Sequence, residues 1–92
     1  MPSTHYNATG DLLRDLAMPL GWSEHFRTLL ARIEAADTPI NCLLAQERAE
    51  GVVEGLELAK AREAAIIERL YVLVAEVAAA RLLQLQPDPG GR

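Results

Sequence analysis

The chain has 92 residues, yet only one cysteine, one lysine, one tryptophan and one phenylalanine. With Cys42 alone no intrachain disulfide can form, which excludes a disulfide-stapled secreted module. Cys42 reads as a small buried apolar group, because His5 and His25 stand at no metal-ligand or nucleophile spacing from it. Lys60 is the single lysine, and eight arginines are spread along the chain, each near an acid. Thirteen acidic against nine basic residues leave a formal net charge of −4. A phosphate-binding domain usually carries a basic patch, so this balance disfavours nucleic acid as the main partner. Long apolar runs are missing too. The most apolar stretch, residues 70–85, is interrupted by Glu76 and Arg81, short of the ~18 uncharged residues of a membrane span. The opening Met1-Pro2-Ser3-Thr4-His5-Tyr6-Asn7 lacks the basic and apolar regions of a secretory signal. The expected location is a cytoplasm, that of a host cell included, or a virion assembled in one.

Catalytic patterns are equally sparse. Ser23 and His25 are two apart and would point in different directions on a helix, with no acid placed to orient the imidazole. Gly90-Gly91 follows Pro89 in a tail with no helix behind it, so it is no phosphate loop. No Cys or His cluster has zinc spacing. The expectation is a protein without enzymatic activity, metal or cofactor.

What is present is helix material: half the residues are hydrophobic and 24% are charged. Residues 1–8 read as an extended arm. A single helical domain is expected over 9–86, with helices over about 11–17, 24–36 and 39–86, and a flexible tail over 87–92. Thr9-Gly10-Asp11 offers caps for the first helix, whose apolar side is Leu12, Leu13 and Leu16. Met18-Pro19-Leu20-Gly21 ends it. Ser23 suits the N-cap of the second, where Phe26, Leu29, Leu30 and Ile33 recur at i, i+3, i+4, i+7. Thr38-Pro39 is the clearest helix start, a capping hydroxyl followed by proline at the first helical position. From there no proline interrupts the pattern until Pro87. A single helix over that span would be roughly 72 Å long at ~1.5 Å per residue. It is either straight or bent near Gly51 or Gly55.

A heptad register with Leu56 at a runs from Cys42 to Gln84 and is apolar except at Glu63 and Gln84. It puts Val52, Leu56, Ile66, Leu70, Leu73 and Val77 on a packing seam, expected to be the interface through which the long helix self-associates or docks. Trp22 and Phe26 are expected to tie the short helices to it. Leu43, Leu44, Val53, Ile67, Val74 and Leu82 fall off the seam, so the helix should touch more than one neighbour. Gly51 and Gly55, at i, i+4, share a face where another backbone can approach closely or the helix can bend. Glu47, Glu50, Glu54 and Glu57 form an acidic row that is either a solvated face or a polar surface for a basic partner. The fold class is therefore all-α: two short N-terminal helices and one long C-terminal helix, forming a helical bundle or an oligomeric, coiled-coil-like assembly. A stretch apolar nearly all round, such as 70–85, must be buried, and two short helices cannot cover all of it. Association with copies of itself or with other proteins is expected, with no membrane partner; the alternative is a compact monomer in which the long segment breaks near Gly51 to Gly55 and folds back as a bundle.

The segment Gln46-Glu47-Arg48-Ala49-Glu50-Gly51-Val52-Val53-Glu54-Gly55-Leu56-Glu57-Leu58-Ala59 resembles a pattern in short helical proteins encoded among the head and packaging genes of tailed bacteriophages. There a Gln or Arg, a Gly, two aliphatics and a second Gly-Leu recur within one helix. The resemblance covers about 14 residues and implies a structural or assembly role in a virus particle; it carries over no catalytic residue. Two other readings remain. One is a small acidic inhibitor or adaptor that binds a host protein through the glutamate row. The other is a small-terminase-like packaging subunit, in which Glu24, His25, Arg27 and Thr28 open a helix that reads DNA and Arg32 assists.

Overall fold

The computed structural model describes residues 20–87, which form three α-helices. These are α1 (Leu20–Ala35), α2 (Pro39–Leu58) and α3 (Ala64–Leu85). The expected arm over 1–8, the helix over 11–17 and the tail beyond Pro87 lie outside the described residues. Two sequence expectations are corrected. The second helix does not begin after Ser23: it already includes Leu20, Gly21 and Trp22, and Ser23 is an interior residue of α1 rather than its cap. The physical reason lies in Trp22, which stands one turn before the fully buried Phe26 and packs against the core. That apolar contact outweighs the local preference of Ser23 for a helix end.

The second correction is larger: residues 39–86 are not one helix. The chain leaves α2 at Leu58, turns through 59–63 and returns as α3. Neither glycine breaks it, since Gly51 and Gly55 both lie inside α2. The stop is built from backbone hydrogen bonds. Ala61 N–H donates to Leu56 O at 3.0 Å and Lys60 N–H donates to Glu57 O at 3.0 Å. Lys60 sits at φ 54, in the left-handed region. Together these make a Schellman motif, which satisfies the last carbonyls of α2 and reverses the chain. Lysine occupies the position that usually holds glycine. Glu63, the one charged residue of the apolar heptad series, is now explained: it lies outside both helices and serves as the N-cap of α3 with extended backbone. Its side chain makes no capping bond, while its carbonyl accepts from Ile66 and Ile67 N–H, both at 3.0 Å.

The Thr38-Pro39 start is as the sequence predicts. Asn41 N–H donates to Thr38 Oγ1 at 3.0 Å, Pro39 occupies the first turn, and Asn41 Nδ2 donates to Asp37 Oδ1 at 3.0 Å. One backbone N–H that would otherwise be orphaned is thereby satisfied at the top of α2.

All three helix pairs pack on one another. Cys42 Sγ lies 3.7 Å from Ala78 O, and Tyr71 OH donates to Glu57 Oε1 at 3.2 Å. The start of α2 thus meets the end of α3 and the reverse, so the two are antiparallel. Short connections make the bundle up-down-up. Its core holds Phe26, Leu29, Leu30 and Ile33 from α1, and Cys42, Ala49, Val53 and Leu56 from α2. From α3 come Ile67, Leu70, Leu73, Val74, Val77 and Ala78. No polar side chain is buried among the described residues. Each large core side chain contributes on the order of 1.5–3 kcal/mol by leaving water. Arg81, half-buried on α3, closes the other end: its Nε donates to Ala36 O at 2.7 Å and its Nη1 to Gln84 Oε1 at 2.9 Å. A cation is thereby held at the C-terminal, negative end of α1.

Candidate interaction surface

The residues assigned to an intermolecular seam fall into two groups. Leu56, Leu70, Leu73 and Val77 are buried in the chain's own core, and Val52 and Ile66 are half-buried against it. The apolar periodicity therefore serves the return of α3 onto α2. Gly51 and Gly55 are exposed, and a Cβ added at either would meet nothing within 4 Å. Within this chain no backbone uses the close approach they permit. Of the off-seam residues, Val53, Ile67 and Val74 are buried and Leu82 packs at the core margin, whereas Leu43 and Leu44 are exposed.

The glycines share the outward face of α2 with large apolar side chains. Ile40, Leu44 and Leu58 are 70%, 62% and 77% exposed. Ile40, Leu44, Gly51, Gly55 and Leu58 succeed one another at helical spacing, with Glu47 between them and Leu43 beside them. Sequence reasoning took Gly51 and Gly55 from this face and missed Ile40 and Leu58. Both lie outside the heptad register, and only the fold shows that the core has no use for them. On α3 the all-apolar stretch is exposed at Val72 and Leu83, with the small Ala75, Ala79 and Ala80 covering most of the rest.

The acidic row runs from the outward face of α2, at Glu47 and Glu54, to the side that borders α3, at Glu50 and Glu57. Glu47, Glu54 and Glu57 are exposed and Glu50 is half-buried. Gln46 Nε2 donates to Glu50 Oε2 at 3.2 Å, and Tyr71 OH donates to Glu57 Oε1. Partial desolvation, this hydrogen bond and the negative field of Glu57, Glu54 and Glu50 raise the Tyr71 pKa above its ordinary value. The row does not converge on an ion: among the described residues no group of three or more His, Cys, Asp or Glu could hold a metal. No described helix is long and apolar enough to cross a membrane.

Between α1 and α2 lies a shallow open groove of about 280 Å³. Leu29 and Ala45 floor it, Leu44 walls it, and Arg32 and Arg48 stand over it. Leu29 is buried and Ala45 half-buried, while both arginines are exposed. Among the described residues neither guanidinium is engaged by a hydrogen bond or ion pair. The groove escaped sequence reasoning because its residues come from two helices and follow no motif. Of the residues considered for DNA reading, Glu24, His25, Arg27 and Thr28 are all exposed, but they lie in the second and third turns of α1 rather than at its start. Thr28 Oγ1 donates back to Glu24 O at 3.1 Å.

The chain matches no protein-family model, and neither a curated protein nor a solved structure is significantly similar to it.

Proposed function

We propose that the chain is a non-enzymatic helical assembly protein that joins a larger complex through the outward face of α2, first of all with copies of itself. The observation that carries the reading is the exposure of Ile40, Leu43, Leu44 and Leu58 on a helix whose core-facing side is already satisfied. Single exposed apolar residues are ordinary on a monomer, but Ile40, Leu43 and Leu44 stand within one turn of each other and form a continuous patch. Gly51 and Gly55 extend this face as a flat strip between Leu44 and Leu58 and let a second helix lie close. A place in a bacteriophage particle is part of the proposal and rests on the resemblance of residues 46–59 alone.

The test is the solution mass by light scattering on a sizing column at low and high salt. A multiple of 10.0 kDa that ignores salt is expected, because apolar contacts are weakly screened. The double variant Ile40→Glu, Leu58→Glu should return the mass to that of one chain without unfolding it, since neither side chain is in the core. A wild-type monomer at both salt concentrations refutes self-assembly through this face.

A further inference from the structure

We propose that the groove between α1 and α2 is a binding site for an acidic, leucine-bearing helix of a partner protein. Each wall of the groove offers the same pair of chemistries one turn apart: Leu29 then Arg32 on α1, Leu44 then Arg48 on α2. The apolar floor asks for an aliphatic side chain, because Leu29 and Ala45 offer no hydrogen bond. The two arginines ask for carboxylates, which a guanidinium fork binds in bidentate fashion.

Their register sets the spacing of the ligand. Arg32 lies three residues before the end of α1, and Arg48 lies nine residues after the start of α2. Because α1 and α2 are antiparallel and joined by a short link, the arginines stand toward opposite ends of the groove. Their separation along the axes is roughly 9 Å at ~1.5 Å per residue. Two carboxylates seven residues apart on one helix face, roughly 10 Å along its axis, with a leucine between them, fit this frame. A duplex fits less well. It would meet two cations beside an apolar floor, on a chain of net charge −4.

Both arginines are exposed, and no hydrogen bond or ion pair engages them among the described residues. Arg32 also stands in the last turn of α1, where a cation suits the helix dipole. The inference rests on the reading of the chain as a docking protein; it does not use Ile40 and Leu58, although Leu44 borders both surfaces.

The experiment is fluorescence anisotropy with the full chain and a fluorescein-labelled helical peptide carrying Asp-Ala-Ala-Leu-Leu-Ala-Ala-Asp once in an alanine–glutamine host. Binding should weaken at least about tenfold in Arg32→Glu and in Arg48→Glu, and clearly at high salt, with melting temperatures close to wild type. Arg32→Lys with Arg48→Lys should keep the charge and lose part of the affinity, because the forks are gone. No binding by the wild type, or binding indifferent to both Glu variants, overturns the proposal. So does tighter binding of a labelled DNA duplex with the same arginine dependence. Stronger peptide binding after Asp11→Asn with Asp15→Asn overturns it in another way, by naming the chain's own N-terminal segment as the occupant. If the peptide fails while light scattering still shows an Ile40- and Leu58-dependent oligomer, the groove is refuted and the assembly reading survives.

Discussion

Lys60 offers a direct test of what ends α2. It sits at φ 54, where the Cβ of an L-residue is crowded against the following carbonyl. That conformation costs ~1–2 kcal/mol relative to the right-handed region, and glycine adopts it without the penalty. Lys60→Gly therefore relieves the strain, while its looser unfolded state takes back ~0.4–1 kcal/mol. Lys60 is also a cation just past the C-terminus of α2, a placement worth ~0.3–1 kcal/mol. The charge effect is removed by taking Lys60→Ala as the reference, since alanine keeps both the Cβ and the strain. Lys60→Gly should then be more stable than Lys60→Ala by about 0.5–1 kcal/mol. For a domain of this size the gap corresponds to roughly 2–8 °C in melting temperature. Urea titrations of the three proteins read the difference directly, with slopes that should agree. Lys60→Val, with a branched Cβ in the same region, should be the least stable of the set. A glycine variant no more stable than the alanine variant would mean that the left-handed turn at 60 is not how α2 stops.

Three further outcomes follow from the same structure. Gly51→Ala and Gly55→Ala each place a methyl in open space on an exposed helix face, and each should raise the unfolding free energy by up to ~1 kcal/mol. If the outward face of α2 is the assembly contact, the same two variants should also weaken self-association on a sizing column. Thr38→Ala removes the Oγ1 that accepts from Asn41 N–H and should cost ~1 kcal/mol in chemical denaturation; unchanged stability would deny the cap any part in the fold. Tyr71 has a raised pKa, so its neutral form is the one the fold favours. The stability it contributes is full below the ordinary tyrosine pKa near 10 and is lost as pH rises through the higher folded value. Tyrosinate absorbance should show one tyrosine titrating late, and Tyr71→Phe should abolish that component and flatten the alkaline loss of stability.

The helical character of this chain was legible because it depends on local signals. Phe26, Leu29, Leu30 and Ile33 repeat at helical spacing, and Thr38-Pro39 carries its own start signal in two residues. The turn after Leu58 was not legible, for a physical reason. The usual stop signal is glycine at the left-handed position, and here Lys60 takes that conformation under the pull of long-range packing. Apolar residues on both sides of the turn keep a common heptad phase, because each half faces the same core after the reversal. Glu63 was the trace of the break: a charge at a seam position marks where the seam is absent. Gly51 and Gly55 drew attention as candidate bends, yet a glycine inside a helix only lowers its stability and does not end it when both flanks are anchored by Ala49, Val53 and Leu56.

The same reversal redefines which residues can meet a partner. On a single long helix, Leu56, Leu70, Leu73 and Val77 would have to find apolar cover on another chain. Folded back, they cover each other, and the excess of apolar side chains reappears elsewhere, on the outer turns of α2 and at Val72 and Leu83. Composition could show that apolar surface exceeds what two short helices can bury, since that is a matter of amounts. Only the fold could say where the surplus emerges, because α2 presents apolar residues in nearly every direction and packing selects one set for the core. Arg32 and Arg48 follow the same logic: each looks like solvated helix cover in the sequence, and they share a groove only because Ala36, Asp37 and Thr38 bring α1 and α2 side by side. On the proposed reading, binding is carried by surfaces between helices rather than by motifs along the chain, and substitutions confined to exposed positions of α2 should change association while leaving the core intact.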